Sequence, residues 1–554
     1  MQNNQLDALK HFPNKDTARP QQVKALNEIS RIFNSNKKFV VACLPTGSGK
    51  SHIAASVART ASDIDSVRKD LIDSYLIYKK DKNGSYKYED DFLDRKPFGS
   101  FILTVTKTLQ DQYKNLFKDS IIVKGKSNYI CDVDKDVTAN MAPCLYSNKQ
   151  KEKCFSANRC PYYETKKNAL TSIDPILNYR SFISLPDFLR KRQIYICDEA
   201  SDLESELVGH YSVTINYSHL KSQNVQFNKL KTDDPKIAGK WIYELYLNIK
   251  NELDDTRIKL TKLKKEGDGE AFFSKEIQRY SKLSDILNTI QEVVTYWEEC
   301  EYIVESKDAE RVVLVPYDIT PLSQNLFKGA DKVLMMSATI SNHREFCKSL
   351  GISEDDYEYI EIPSSFDSKK SPIKSSRKYS LTFKNKNKDL PNIIQAAIQI
   401  AELHKEDKGI IHTHTNQITE AFKRYVNNNS RFLFREDGVS NEKILELHKE
   451  SKDNTILVSP SLGTGISLDD DLGRFQIILK APFLPLSSKR IKKIFDKNPN
   501  YYTMKMMNSL IQMCGRCTRS IDDHSVTYIL DGNAVNSVIQ NKHLLPKSFL
   551  ERLV

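Results

Sequence analysis

An α/β architecture with two separate parallel sheets is predicted by three features of this sequence. Short apolar runs bounded by turn signals recur in two series with helical stretches between them, the pattern of strands buried on both faces. A Ser/Lys-rich stretch from Ser364 to Ser380, of linker composition, separates the two series. The length, 554 residues, exceeds what one hydrophobic core organises, so several cores are expected.

The first series comprises 39–45 (FVVACLP), 100–106 (SFILTVT), 120–125, 193–200 (QIYICDEA) and 332–336. The second comprises 409–415 (GIIHTHT), 455–460 (TILVSP), 475–481 (FQIILKA) and 526–531 (VTYILD). Between the fourth and fifth runs of the first series the period changes. Ile242, Leu245, Ile249, Leu253, Leu260 and Leu263 recur at helical spacing, as do Ile277, Tyr280, Leu283, Leu287, Ile290, Val294 and Trp297. Glu266, Gly267, Asp268 and Gly269 lie between the two sets, which predicts an antiparallel hairpin of two long helices. The polar segment from Ser62 to Lys96 has no clear period.

Hydrophobic residues make up 39% and charged residues 28%, a globular composition, and no apolar run reaches membrane-spanning length. The opening residues, MQNNQLDALKHF, carry neither a basic n-region nor an apolar h-region, so a cytosolic protein is expected. The net charge of +11 suits a polyanionic partner, but 83 basic against 72 acidic side chains is a mild excess that decides little. Ten cysteines in a reducing compartment are read as thiols, and a cluster among them as metal ligands.

Leu44-Pro-Thr-Gly-Ser-Gly-Lys-Ser51 follows an apolar strand and opens a helical stretch. In that context Thr46, Gly47, Ser48 and Gly49 let backbone N–H groups wrap phosphates, Lys50 reaches the β and γ oxygens, and Ser51 joins a Mg²⁺ shell. The usual first Gly or Ala is Leu44, which leaves the cradle intact. Ile194-Tyr-Ile-Cys-Asp-Glu-Ala200 puts Asp198 and Glu199 at the end of a buried strand. Phosphoryl transfer needs one acid in the Mg²⁺ shell and one to orient or deprotonate water, and these two suit those roles. Gln512-Met-Cys-Gly-Arg-Cys-Thr-Arg519 sets Arg516 and Arg519 three residues apart, on one face if helical, to meet charge on a transferring phosphate.

These motifs, with Arg19-Pro-Gln-Gln22, Thr104-Val-Thr-Lys-Thr-Leu-Gln-Asp-Gln112, Ser337-Ala-Thr339 and Gly463-Thr-Gly465, stand in the order of superfamily 2 helicase motifs. Within that superfamily the chain resembles the XPD/DinG group of iron-sulfur DNA helicases. The narrower match rests on Lys124-Gly-Lys-Ser-Asn-Tyr-Ile-Cys131, Cys160-Pro-Tyr-Tyr163, Leu177-Asn-Tyr179 and Ala481-Pro-Phe483. The resemblance implies two RecA-like motor domains, with an inserted four-cysteine iron-sulfur domain and an inserted helical arch domain. The expected division is motor domain 1 over 1–120, 165–205 and 316–363, the cysteine domain over 121–164, the arch over 206–315, and motor domain 2 over 364–554. It also implies that Gln22 contacts adenine, that Gly465 belongs to the ATP site, and that Gln512, Arg516 and Arg519 act across the inter-domain cleft. The family's Asp-Glu-Ala-His ends here in Ser201, and motif V reads Thr464-Gly-Ile-Ser467 where relatives often have Glu-Gly-(Ile/Val)-Asp.

Cys131, Cys144, Cys154 and Cys160 are separated by 12, 9 and 5 residues. Four thiolates serve Zn²⁺ or a cubane, and the lack of tight CxxC pairs leans toward iron-sulfur. The resemblance implies a 4Fe-4S cluster. Lys124, Lys126, Lys149, Lys151, Lys153, Arg159, Lys166 and Lys167 are interleaved with Tyr129, Tyr146, Phe155, Tyr162 and Tyr163, a combination that grips single-stranded nucleic acid. Thr106, Lys126, Tyr129, Asn178 and Tyr179 are the expected DNA contacts.

The expected function is an ATP- and Mg²⁺-dependent monomeric helicase that moves 5′ to 3′ on single-stranded DNA and unwinds duplexes with a 5′ tail. Two alternatives stand beside it: an RNA-directed or protein-displacing translocase, and an ATP-gated binding module with a structural zinc site.

Overall fold

The structure, a computed structural model, describes residues 6–13, 18–61, 98–145, 150, 153–154, 159–266, 270–427, 429–436, 438–460, 468, 470–518 and 523–554. The segment 62–96, the hairpin turn 267–269, Gly463 to Gly465, and Arg519 lie outside them.

In chain order the first strands are β1 (Phe39–Cys43), β2 (Ser100–Thr104), β3 (Ile122–Val123), β4 (Ile176–Asn178) and β5 (Arg192–Asp198). Next come β6 (Val213–Asn216), β7 (Ile303–Lys307), β8 (Arg311–Val315), β9 (Ala330–Ser337) and β10 (Tyr357–Glu361). Seven of these form a wholly parallel sheet in the order β10-β1-β9-β5-β2-β4-β3. Alternate residues of the central strands feed two cores. Val41, Leu103, Cys197 and Met335 face one, while Val40, Ala42, Ile102, Ile196 and Leu334 face the other. Burial of both faces is why these strands read as unbroken apolar runs.

The second sheet contains β11 (Ile373–Tyr379), β12 (Gly409–His412), β13 (Phe432–Phe434), β14 (Ile456–Ser459), β15 (Phe475–Ile478) and β16 (Val526–Asp531). It too is parallel, in the order β11-β16-β15-β12-β14-β13. The α/β class with two parallel sheets is therefore as expected. The linker reading needs correction, because residues 373–379 of the Ser/Lys-rich stretch form an edge strand. An edge strand is half solvated, and its polar composition reflects that. Similarly, β3 pairs with β4 in the first sheet, so the 120–125 run belongs there and not to the cysteine segment that was expected to begin at 121.

Between β5 and β9 the helices Pro235–Glu266 and Glu270–Thr295 form the expected hairpin pair. Ile242, Leu245, Ile249, Leu260, Leu283 and Ile290 are buried along its seam. All but Leu260 belong to the same core as one face of the first sheet, so the hairpin is rooted in that core. The insertion is not wholly helical. β6, β8 and β7 form a small antiparallel sheet at the hairpin's base. The hairpin also touches the cysteine segment, where the Ser281 hydroxyl donates to the Asn140 carbonyl at 3.2 Å.

Candidate functional site

The turn after β1 carries Gly47 and Gly49 at φ 77° and 78°, where an L side chain is strained. A Cβ would also crowd its neighbours: on Gly49 it would lie 2.2 Å from Gln22 Nε2, and on Gly47 2.0 Å from the Phe366 ring, so those side chains would have to shift. The helix Lys50–Ala58 starts directly from this loop. Arg19 Nη1 donates to the Gly47 carbonyl at 2.8 Å, and the Arg19 N–H donates to Gln22 Oε1 at 2.9 Å. Gln22 is buried, its amide packed on the loop.

At the end of β5, Asp198 is fully enclosed. The Tyr113 hydroxyl donates to its Oδ2 at 3.0 Å, and the Glu199 N–H donates to Oδ1 at 3.0 Å. Ser51 stands close enough to the Tyr113 phenol to oppose the rise that burial and Asp198 give it, so the phenol neighbours both residues suited to a Mg²⁺ shell. Glu199 takes the left-handed conformation at φ 49°. Its Oε1 lies 3.5 Å from Lys50 Nζ, and its Oε2 accepts from the Ser337 hydroxyl at 3.1 Å. The Ser201 and Ser337 hydroxyls are 2.9 Å apart, and Thr339 donates to Ser201 at 3.2 Å. Ser201, in place of histidine, thus links the DEAS and Ser-Ala-Thr segments through hydroxyl bonds.

Burial pushes Asp198 up to about 6, Glu199 adds to the rise, and Lys50 and Tyr113 oppose it. An unfolded Asp loses its proton near pH 4, so between about pH 4 and 6 the unfolded chain holds fewer protons and native stability falls as pH rises. We expect Asp198→Asn, without Mg²⁺ at neutral pH, to be more stable than the parent by on the order of 2–3 kcal/mol. Denaturant melts at pH 4 and 7 check this: the gap should close at the lower pH, and a pH-independent gap contradicts it.

The second sheet supplies the facing wall. One cleft is lined by Thr46, Lys50 and Glu199 from the first side and by Gln512, Gly515 and Arg516 from the second. A Cβ on Gly515 would lie 3.6 Å from the Thr46 hydroxyl, so the walls nearly touch. Arg516 is buried, and its charge reaches Asp202 beside the DEAS turn. The helical-face reading of the arginine pair fails for Arg516, because the helix Pro499–Cys514 ends at Gly515 and Arg516 stands in the turn beyond. Arg519 and Gly465 lie outside the described residues.

None of the four segment cysteines is in a disulfide; Cys131 and Cys154 are buried, Cys144 and Cys160 partly so. Burial pushes the Cys144 thiol up to about 11, and Cys160, Cys154 and Cys131 each add to that rise. They are not drawn to ligand spacing: among the described residues no group of three or more His, Cys, Asp or Glu could hold a metal ion. Cys43 and Cys197 are core residues, as read.

Beside the cysteines, Tyr162 sits between Lys126 and Lys166, whose Nζ atoms lie 5.8 and 6.0 Å from its ring centre, and Tyr129 packs edge-on at 5.5 Å. These lysines, with Lys124 and Arg180, line a hollow that reaches Asn288 of the hairpin. Thr106 is exposed and caps the helix Lys107–Leu116, accepting from the Leu109 N–H at 3.2 Å. Asn178 caps the next turn by accepting from the Ser181 N–H at 2.7 Å. Tyr179 must leave the set of DNA contacts. It is fully buried, and its hydroxyl donates to the Asp198 carbonyl at 3.0 Å.

Residues 405–549 match the helicase C-terminal domain family. A solved XPD helicase superposes with TM-score 0.61 at 15% identity, covering 97% of this chain and 99% of that one. The chain has the XPD helicase fold. An apo XPD structure gives TM-score 0.56 at 14% identity over 93% and 98% of the two chains. Xpd4 of S. tokodaii gives 0.52 at 13% identity over 97% and 100%. No curated protein sequence matches the chain. In this XPD-type fold, Lys50 and Glu199 stand on the first sheet's wall of the cleft and Arg516 on the second's, within the matched helicase segment. Among the described residues no helix is long and apolar enough to cross a membrane.

Tyr113, Phe366 and the Ser201–Ser337–Thr339 hydroxyl group went unassigned from sequence. The Ser-Ala-Thr motif was the available signal for the last; nothing local marks Tyr113, which meets Asp198 from 85 residues away.

Proposed function

We propose that this chain is an ATP-dependent DNA helicase that moves 5′ to 3′ on single-stranded DNA and opens duplexes carrying a 5′ tail. The observation that carries the reading is the single cleft faced by Thr46, Lys50 and Glu199 from one sheet and by Gln512 and Arg516 from the other. Thr46 to Ser51 cradle the phosphates, with Lys50 on the β and γ oxygens. Ser51 and Asp198 hold Mg²⁺, oriented by Tyr113, and Glu199 directs the attacking water. Arg516 and Arg519, with Gln512, complete the site when the walls close, which makes hydrolysis depend on domain movement. Gln22 braces the loop through Gly49, beside the adenine end.

Cys131, Cys144, Cys154 and Cys160 hold a 4Fe-4S cluster in this reading. The donor chemistry fits, four thiols on one segment with none in a disulfide, although they stand beyond ligand spacing. When bound, the cluster supplies the cross-link that pulls the surrounding loops together. Protein purified without oxygen is expected to be brown and to contain iron and sulfide; colourless protein with stoichiometric zinc overturns the assignment.

DNA runs past Thr106 and Asn178 to Lys126, Tyr129 and Tyr162, where cations meet phosphates and aromatic rings meet bases. The helical hairpin takes the role of the arch and, with the cysteine segment, sets polarity. ATP-driven unwinding of a 5′-tailed duplex, with little of a 3′-tailed one, is the expected result. Preference for the 3′ tail, or for matched RNA, contradicts the reading.

A further inference from the structure

The C-terminal residues form part of the nucleotide cleft. Beyond the short helix Lys547–Leu550 the chain runs beside the start of β11: the Ile373 N–H donates to the Arg552 carbonyl at 2.6 Å, and the Val554 N–H donates to the Ile373 carbonyl at 3.0 Å. This fixes the backbone of Arg552 at the cleft wall, which it lines together with Lys50, Glu199, Gln512 and Arg516.

Two of its guanidinium nitrogens are already engaged. Nε donates to the Ser371 carbonyl at 2.7 Å and Nη2 to the Cys514 carbonyl at 2.8 Å. Cys514 is the last residue of the helix that leads into Gly515 and Arg516, so its carbonyl is one of the orphan acceptors at a helix end. The planar fork is thereby locked between the inter-sheet connection and the arginine turn. The third nitrogen, Nη1, has no hydrogen-bond or ion-pair partner among the described residues.

The lining shows which end of the cleft this is. Glu199 and Lys50 are present, whereas Arg19 and Gln22, on the far side of the phosphate loop, are not. A locked guanidinium with one nitrogen wholly free, opposite the groups suited to the terminal phosphate, has the geometry of an oxyanion contact. Besides Glu199, the carboxylate lining the cleft among the described residues is Glu551; it is exposed and makes no ion pair there.

We infer that Arg552 is a further arginine of the nucleotide site, contacting the γ-phosphate of a bound nucleoside triphosphate through Nη1. The inference rests on the cleft being the ATP site. It is tested by titrating the full chain with ADP and with AMP-PNP, each with Mg²⁺. Arg552→Gln should weaken AMP-PNP binding about tenfold or more and ADP binding less than about twofold, as loss of one charged hydrogen bond to the third phosphate requires. Arg552→Lys keeps the charge and one carbonyl contact but loses the fork, and serves if the Gln variant folds poorly; the same split between analogues is expected. Equal losses for both nucleotides, or none, reduce Arg552 to a backbone staple and overturn the inference. Failure of the parent chain to bind either nucleotide defeats the ATP-site reading itself, and the inference with it. Parent binding with no split in the variants defeats only the role of Arg552.

Discussion

Glu199→Gln is expected to bind ATP almost as the parent does and to turn it over about 10²–10⁴-fold more slowly. The amide oxygen can still accept from Ser337, but no proton can be taken from water. Glu199 is also held at φ 49°, a conformation costing on the order of 1 kcal/mol that the surrounding bonds must maintain. Lys50→Ala should abolish turnover by a different route, since the loop loses the cation that reaches the β and γ oxygens. Equilibrium binding and single-turnover hydrolysis separate the two effects. Loss of ATP binding in Glu199→Gln would show that this residue holds the fold of the site and does not act on water.

The largest stability effect should come from Glu204, just after the DEAS turn. Burial alone would raise its carboxyl, but Lys505 and Arg490 outweigh it and hold the group below the usual carboxylate range. Arg490 Nη2 lies 2.9 Å from Oε1 and Lys505 Nζ 3.0 Å from Oε2, with all three side chains at most 15% exposed. The acid belongs to the first sheet's side and both cations to the second's. Around this triad, Glu305 accepts from the N–H groups of Lys489 and Arg490, so the helix Lys489–Lys497 is fastened to the base of the hairpin. Glu204→Ala strands two buried cations and should cost about 3–5 kcal/mol. Because the folded pKa is depressed, the gap between parent and variant should be full above the unfolded value near pH 4.3 and shrink as pH falls below it. Denaturant unfolding at pH 7 and pH 3.5 measures both statements. A cost under 1 kcal/mol at pH 7 would mean that water relieves the stranded cations.

Legibility in the sequence followed how local each cause was. The phosphate loop and the DE turn were visible because strand, glycines and acids are contiguous. The central strands β1, β2, β5, β9, β12, β14, β15 and β16 were visible because burial on both faces leaves unbroken apolar runs. Strands of three residues, such as β4 and β13, carry too few side chains for a period. β11 was masked by the polar composition that an edge strand tolerates. The hairpin was legible because each helix repeats its seam over many turns. Arg516 was misplaced because the helix ends at Cys514, before either arginine of the motif, and Tyr179 because adjacency to Asn178 says nothing about which way a side chain is buried. The partners of Asp198, Glu204 and Cys514 come from Tyr113, Arg490 and Arg552, far along the chain, and no periodicity encodes such meetings.

The central claim is that one cleft between two sheets hydrolyses ATP in response to nucleic acid. ATP turnover by the intact chain, measured against increasing single-stranded DNA at fixed Mg²⁺ and repeated at higher salt, tests it most directly. The account predicts low basal turnover, a saturable rise with DNA, and a saturation point that moves to higher DNA concentration as salt screens the backbone contacts. Turnover that ignores the nucleic acid, or that is absent with and without it, would contradict the account.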